Sequence, residues 1–224
     1  MALQSPLAST LALPWQRQLA DRLILLWPLK AFGTTGFMVL FFWGYFTVQH
    51  NPLVAPTVMP AIWLDHWIGF SPSALPFYVS LWVYVSLAPA LIGNLRALLD
   101  FGAWIGAMCL FCLAIFWVFP TSTPAFGIDW AAHPEFAFIK GLDASGNAFP
   151  SLHVASAVFT AFWLQRLFAR MEAPQALAWL SALHCALIVW STIATRQHVV
   201  WDAVGGAVVG TVFAWLSLRR ARDC

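Results

Sequence analysis

The chain has 224 residues and a formal net charge of +2, and 61% of its residues are hydrophobic while only 9% are charged. Water-soluble globular domains carry about 25% charged residues, so this composition excludes a soluble domain and indicates a protein solvated by membrane lipids. The small net charge and the lack of a basic run also exclude a nucleic-acid partner. We expect one integral membrane domain over residues 1–224.

Six apolar segments follow one another along the chain. A helix needs about 20 mostly apolar residues to cross a membrane. The segments therefore predict an all-α, polytopic membrane bundle of about six transmembrane helices within residues 31–217. They cover residues 31–48, 76–94, 101–119, 152–170, 174–195 and 199–217. Residues 1–30 precede the bundle, and we expect their amphipathic part to lie at the cytoplasmic interface.

The basic residues divide unequally between the two sides that six spans create. If the N-terminus is cytoplasmic, only Lys140 and Arg196 lie on the outer side. The other nine of the eleven lie inside: Arg17, Arg22, Lys30, Arg96, Arg166, Arg170, Arg219, Arg220 and Arg222. The positive-inside rule therefore predicts cytoplasmic N- and C-termini. The short loops favour a bacterial inner membrane.

The cysteines and histidines give no sign of a metal or redox centre. Cys109 and Cys112 form a C-x-x-C pattern, but the pattern lies inside an apolar span, which favours two small helix residues. No set of His, Cys and carboxylate residues has the spacing of a metal site. We therefore expect neither a metal nor another cofactor.

Two polar clusters stand at the outer ends of predicted spans. Residues 147–153 lead into span four and residues 195–202 lead into span six. The two clusters are expected to meet in space, although about 45 residues separate them in the chain. The sequence thus predicts an active site at the outer membrane face.

Two histidines and an aspartate dominate these clusters. His198 and Asp202 are four residues apart, which places them on one helix face, where the carboxylate can orient the imidazole. A polar pair that only locks helix packing is the alternative. His153 lies in the first turn of span four, just after Ser151, which suits a helix cap or a phosphate contact. The free N–H groups at such a helix start favour an anion.

Three further residues are candidates for contact with a substrate phosphate. Arg196 supplies a forked cation for phosphate oxygens, with a snorkelling interfacial anchor as the alternative. Lys140 offers a second phosphate contact, with a solvated loop lysine as the alternative. Asn147, at the start of the first cluster, is expected to contact the phosphate as well.

The clusters resemble the second and third motifs of the type 2 phosphatidic acid phosphatase superfamily, P-S-G-H and S-R-x5-H-x3-D. The second motif reads P-S-L-H at 150–153, and the third retains Ser191, His198 and Asp202 at the same spacing. The strings FPSLHVASA and TRQHVVWDAVGG resemble the branch of inositol phosphorylceramide synthases and their bacterial relatives. The resemblance covers about residues 119–210.

This chain departs from the superfamily pattern at three places. Leu152 replaces the glycine of the second motif, and Thr192 stands where the third motif has its arginine. The first motif, K-x6-R-P, has no counterpart. We expect Arg196, two residues before His198, to replace the missing arginine.

The resemblance implies a reaction and a role for each residue. His198 attacks phosphorus and forms a phosphohistidine, Asp202 orients it, and His153 protonates the leaving oxygen and then activates the acceptor. With water as acceptor the protein is a lipid phosphatase, which is the first interpretation. With a lipid hydroxyl as acceptor it is a phosphotransferase of the inositol phosphorylceramide synthase type.

A non-enzymatic binding or carrier protein is the third interpretation. Such a protein would line a path across the bilayer with polar groups, whereas the polar groups here cluster at one face. The sequence leaves open the lipid substrate, among phosphatidic acid, undecaprenyl pyrophosphate, phosphatidylglycerol phosphate and inositol-containing donors, and also the oligomeric state. Gly206 and Gly210 form a small-xxx-small pattern that favours packing of span six on span four or five, with dimerisation as the alternative.

Overall fold

The computed structural model describes residues 13–142 and 147–220, without the side chains of residues 140–142. Over these residues the chain is helical apart from its loops, three short 3-10 turns and one pair of two-residue strands. The helices are α1 (Trp15–Ile24), α2 (Trp27–His50), α3 (Trp63–Ile68), α4 (Leu75–Val79), α5 (Leu81–Leu91), α6 (Leu95–Val118), α7 (Ala137–Leu142), α8 (Leu152–Arg170), α9 (Gln175–Ala194) and α10 (Val200–Arg220), and the parallel strands are β1 (Thr57–Val58) and β2 (Thr121–Ser122).

Six helical segments in the described part of the chain are long and apolar enough to cross a membrane, which confirms the predicted all-α bundle. They are α2, the continuous segment Pro72–Leu91 that contains α4 and α5, and then α6, α8, α9 and α10. Their outward faces expose large apolar side chains such as Trp43, Leu99 and Trp179. An apolar surface of this extent suits contact with lipid rather than with water.

The first span begins at Trp27, four residues before the predicted start. The hydropathy pattern places Lys30 outside the span, because a charged side chain interrupts an apolar run. In the fold, Nζ of Lys30 donates to the carbonyl oxygens of Arg22 at 2.6 Å and Ala90 at 2.7 Å. Bound in this way to the ends of two helices, the ammonium group is accommodated within α2.

The third span begins at Leu95 rather than at residue 101. Its start is set by Asn94, whose side-chain oxygen accepts the N–H of Ala97 at 2.8 Å. Asn is among the residues that best cap a helix N-terminus. The cap includes Arg96 in the first turn of α6, whereas hydropathy alone assigns that residue to the preceding loop.

Successive spans run in opposite directions. At one end of the bundle, which we term the site end, the N–H of Ser71 donates to the carbonyl of Ala194 at 2.9 Å and joins the start of the second span to the end of α9. The starts of α8 and α10 lie at this end too. The contact of Lys30 with Ala90 marks the opposite end, where α1 and the last turn of α10 lie.

α8 and α10 pack closely, and glycine makes the approach possible. A Cβ at Gly206 would overlap the carbonyl oxygen of Ser151, and a Cβ at Gly210 would overlap that of Ala155. A Cβ at Gly205 would overlap the Phe149 ring. The small-residue face of the last span is therefore used inside the protein, against span four.

We expect Gly206→Ala to weaken the fold, because the added methyl group must push α10 away from the backbone of α8. Overpacking of this kind costs about 1–3 kcal/mol of unfolding free energy. Chemical denaturation in detergent measures the change. Gly102→Ala is the matched control, since a Cβ there meets no atom within 4 Å. Equal stability of the two variants would contradict the close packing of α8 and α10.

Candidate functional site

The site end brings the two histidines of the polar clusters together. His153 lies in the first turn of α8, and His198 lies two residues before the start of α10. Their ring centroids are 6.2 Å apart. The fold thus joins two clusters that are distant in the chain, because α8 and α10 are parallel neighbours that begin at the same end.

Ser151 ties the two clusters to each other. Its N–H donates to the carbonyl oxygen of Asp202 at 2.9 Å, and its hydroxyl accepts the N–H of Val154 at 3.3 Å. Ser151 is therefore the N-cap of α8, and it is fully buried. The structure shows the predicted capping role, while a contact with phosphate stays a prediction.

Asp202 acts as a cap for its own helix. Its Oδ2 accepts the N–H of Val199 at 2.9 Å, as a carboxylate in the first turn does in a capping box. The same oxygen lies 3.6 Å from Nδ1 of His198, which is beyond hydrogen-bond distance. The buried carboxylate thus faces the imidazole without bonding to it. Catalytic hydrogen bonds are often long without substrate and shorten when it binds.

The backbone around His198 is fixed by contacts from three parts of the chain. The N–H of His198 donates to the carbonyl oxygen of Thr192, in α9, at 3.0 Å. The next N–H is held by Asp202, and the N–H of Val200 donates to Oδ1 of Asp65, in α3, at 2.8 Å. These hydrogen bonds fix the position of the backbone around His198.

Arg196 is held in an unusual conformation beside the site. Its φ is 60°, in the left-handed region that is costly for a residue with a side chain. Nη1 donates to the carbonyl oxygen of Asp65 at 2.8 Å, and the guanidinium lies 4.1 Å from the centre of the Phe126 ring. Burial lowers the pKa of Arg196, and the Asp65 carboxylate opposes that shift. Arg196 does not line the apolar groove that borders His153 and His198.

Asn147 is placed by a small layer of extended backbone. β1 pairs with β2, and Thr121 of β2 forms a bridge with Asn147. The hydroxyl of Thr121 also accepts the N–H of Phe149 at 2.7 Å. The layer joins three loops and directs the Asn147 side chain, which is 7% exposed, into the same groove as His153 and His198.

Four buried polar atoms of residues at this groove have no hydrogen-bond partner within the described residues. One is Nδ1 of His198, which faces Asp202, and the three others are Oδ1 and Nδ2 of Asn147 and Nε2 of His153. Buried polar atoms in folded proteins are nearly always hydrogen-bonded. The three atoms therefore indicate where a polar group of a ligand fits.

An apolar groove leads from the histidines into the bundle. It encloses about 1050 Å³ of space, its open mouth included. Eight aromatic side chains contribute to its lining: Phe37, Phe41, Phe42, Tyr45, Phe46, Tyr78, Trp82 and Phe138. The groove reaches Ile105, thirteen residues from the site end of α6, which corresponds to about 20 Å along a helix. The groove therefore runs well into the hydrocarbon core of the bilayer.

A family model described as the PAP2 superfamily matches residues 45–216, a range that contains His153, His198 and Asp202. The chain belongs to the PAP2 superfamily. Members are generally phosphatases or phosphotransferases, so the expected activity is of this kind and acts on phosphate esters. The comparisons with curated proteins and with solved structures find no match.

Membership in the PAP2 superfamily confirms the resemblance read from the two motifs, whereas the inositol phosphorylceramide synthase branch stays a prediction. Two predicted features cannot be placed. The backbone of Lys140 belongs to α7, but its side chain lies outside the described residues, as does Arg222. Neighbouring residues of α7, Phe138 and Ile139, line the groove.

Sequence reasoning missed the aromatic support of His153. Tyr78 stacks on the His153 ring with centroids 4.4 Å apart, and Trp82 meets it edge-on at 5.9 Å. The two aromatic residues are four apart, so they share one face of the second span. That spacing is the signal in the sequence, but 16% of the chain is aromatic and the signal does not stand out.

Sequence reasoning also missed Asp65. It is the one carboxylate in the sequence between the first two spans, within the string WLDHWI. A carboxylate in so apolar a loop is a signal for a buried partner. The partner itself, the start of α10, lies about 135 residues away and depends on the tertiary fold.

Proposed function

We propose that this PAP2 protein is a membrane lipid phosphatase that needs no metal and hydrolyses a lipid phosphate ester through a phosphohistidine on His198. The observation that carries the proposal is the placement of His153, His198 and Asn147 at the head of one apolar groove. The unpaired polar atoms suit a phosphate, and the groove suits a hydrocarbon tail. A lipid phosphate has both parts.

In the first step, Nε2 of His198 attacks phosphorus, since its Nδ1 faces Asp202. The N–P bond forms as the bond between phosphorus and the lipid oxygen breaks, and His153 donates a proton to that oxygen from Nε2. Asp202 stabilises the positive charge that develops on the imidazole of His198. Tyr78 and Trp82 keep the His153 ring in position.

In the second step, His153 takes a proton from a water molecule. The water oxygen attacks phosphorus, the N–P bond breaks, and inorganic phosphate leaves with the histidine restored. A water acceptor makes the reaction a hydrolysis, and the same two histidines serve both steps.

The phosphate oxygens need positive or N–H partners during both steps. We assign this role to the Asn147 amide and to the N-terminal N–H groups of α8, which Ser151 caps. Arg196, held by Asp65 and Phe126, adds positive charge two residues before His198. It replaces the motif arginine, whose position is occupied by Thr192 in this chain. Lys140 adds a second cation from α7.

The site end faces the outside of a bacterial inner membrane in this proposal, with both termini in the cytoplasm. The support is the positive charge at the opposite end, because basic residues beside the spans favour the cytoplasmic side of the membrane. Basic residues of the described chain at that end are Arg17, Arg22, Lys30, Arg96, Arg166, Arg170, Arg219 and Arg220. The substrate is then a lipid of the outer leaflet.

Transfer to a lipid hydroxyl, as in the inositol phosphorylceramide synthase branch, is the second candidate. The observation that favours it is Leu152, which replaces the motif glycine and lines the groove directly beside His153. An apolar surface at this point accommodates a lipid alcohol as well as the leaving lipid. The acceptor, and not the phosphohistidine, distinguishes the two candidates.

We expect His153→Ala to slow the release of phosphate from a lipid phosphate by about 100- to 10,000-fold, the range typical of a lost general acid. Release of the leaving group in the first turnover should slow far less on p-nitrophenyl phosphate coupled to an alkyl chain, because that leaving group needs no proton. The measurement is the burst of leaving-group release from each substrate in excess EDTA. His198→Ala should give no burst with either substrate.

Two outcomes would contradict this assignment. Equal slowing of the first-turnover burst on both substrates in His153→Ala would show that His153 does not protonate the leaving oxygen. Full activity of His198→Ala would remove the histidine mechanism, and loss of wild-type activity in EDTA would remove the metal-free reaction.

We expect Ile105→Phe to shorten the groove and to raise KM for long-chain lipid phosphates by roughly tenfold, since a tail must be displaced from an apolar pocket. KM for a dihexanoyl analogue should stay near the wild-type value. KM for the two chain lengths is measured in mixed micelles. Leu99→Phe is the control, because Leu99 lies on the same helix but is 60% exposed. Equal effects on both chain lengths would contradict a tail in this groove.

A further inference from the structure

The loop between the first two spans contributes a second buried carboxylate to the site end. Asp65 in α3 is fully buried. Its Oδ1 accepts the N–H of Val200, and its Oδ2 accepts the N–H of Ile62, both at 2.8 Å. Its carbonyl oxygen accepts from Nη1 of Arg196, also at 2.8 Å. Two of the three contacts thus reach the segment that contains His198.

These two contacts fall on either side of His198. Arg196 precedes it by two residues and Val200 follows it by two. Because Asp65 binds residues on both sides of His198, it fixes the position of the segment between Arg196 and Val200. The imidazole of His198 is therefore held at a set distance from His153, whose ring centre lies 6.2 Å away.

The backbone of Arg196 needs such support. Its left-handed conformation, with φ of 60°, persists only where surrounding contacts outweigh the strain. The contact with the Asp65 carbonyl and the ring of Phe126 supply those contacts for the side chain. Without the Asp65 carboxylate, Val200 loses its hydrogen bond on one side of His198, and the start of α3, which offers the carbonyl oxygen to Arg196, loses the bond at Ile62.

The Asp65 carboxylate also completes the start of α10. Asp202 binds the N–H of Val199, and Asp65 binds the next N–H along the chain, that of Val200. Hydrogen bonds from N–H groups to carboxylates are stronger than neutral ones, and both carboxylates are fully buried. Asp65 comes from another part of the sequence, so its carboxylate connects this helix start to α3.

We propose that Asp65 is a positioning residue for His198, acting through its carboxylate on Val200 and through its main-chain carbonyl on Arg196. The loop helix α3 is on this account part of the active site, although it lines no part of the groove. The inference rests on the proposed function for the role of His198 as the attacking group. The hold of Asp65 on residues 196–200 stands on geometry alone.

The test uses Asp65→Ala, which removes both carboxylate contacts, and Asp65→Asn, which keeps an oxygen for the Val200 N–H. Asp129→Ala is the matched control, because Asp129 also accepts a backbone N–H in an outer loop, that of Ala131 at 3.1 Å, but is exposed. Hydrogen–deuterium exchange is followed on the full-length protein in the peptide that covers residues 195–203, and kcat and KM are measured for a lipid phosphate.

We expect Asp65→Ala to speed exchange in this peptide and to lower kcat by about 100-fold, the size of effect that a misplacement of about 1 Å produces. KM should stay unchanged, because the groove is not altered. Asp65→Asn should recover part of both properties, and Asp129→Ala should match the wild type. A residue that merely stabilises the fold would lower the amount of active protein without this separation of kcat from KM.

Unchanged exchange in Asp65→Ala would overturn the proposal, and so would faster exchange with a wild-type kcat. If Asp65→Ala unfolds, exchange also rises in α6, and Asp65→Asn then decides the question. Faster exchange confined to residues 195–203 together with a lower kcat supports the proposal, and wild-type values of both overturn it. If the wild-type protein releases no phosphate from any lipid, the phosphatase function fails, while the exchange measurement still shows whether Asp65 holds the segment.

Discussion

The close approach of α8 and α10 is the constraint on which the site depends. The two helices begin at the same end and touch through Gly206 and Gly210, where a side chain would overlap the opposite backbone. The N–H of Ser151 donates to the carbonyl oxygen of Asp202 at the head of this contact. Parallel helices in contact present two N-termini side by side, and each N-terminus has N–H groups that favour an anion.

This arrangement explains why the proposed chemistry lies at one end and not in the middle of the bundle. His153 and His198 sit at the two helix starts, so both are near the membrane surface where a phosphate headgroup lies. The apolar groove continues from them into the bilayer depth, beside α2 and α5. One lipid molecule with its phosphate at the surface and its tail in the membrane matches both parts.

Buried charges at the site are bound mostly to backbone groups rather than to each other. Asp202 and Asp65 accept consecutive N–H groups at the start of α10, and Arg196 donates to a carbonyl oxygen. An unpaired buried charge is costly, and helix ends offer backbone partners that are already oriented. The same contacts that satisfy these charges also fix the backbone on both sides of His198.

The six spans, and the meeting of the two polar clusters, could be predicted from the sequence because both depend on local properties. Hydropathy gives the spans, and the alternation of spans places residues 147–153 and 195–202 at one end. Hydropathy predicts the span starts near Lys30 and Asn94 too late in the chain, because it does not include the side-chain hydrogen bonds that accommodate polar residues in a helix.

Other parts of the site could not be predicted, because they depend on contacts between distant segments. Tyr78 supports His153 across two helices, and Asp65 reaches α10 from a loop far earlier in the chain. For Arg196, the sequence shows a cation near His198, but its contacts with Asp65 and Phe126 follow only from the fold. The spacing predicts that Asp202 orients His198, and the fold shows that Asp202 also caps its own helix through the N–H of Val199.

The most direct test of the account is a search for the covalent intermediate. The protein is incubated briefly with a lipid phosphate carrying a labelled phosphoryl group and quenched in alkali, and the labelled peptide is identified by mass spectrometry. The account predicts an alkali-stable, acid-labile phosphoryl group on His198, which forms in the wild-type protein and is missing in His198→Ala. A label on another residue, or rapid turnover with no labelled protein, would contradict it.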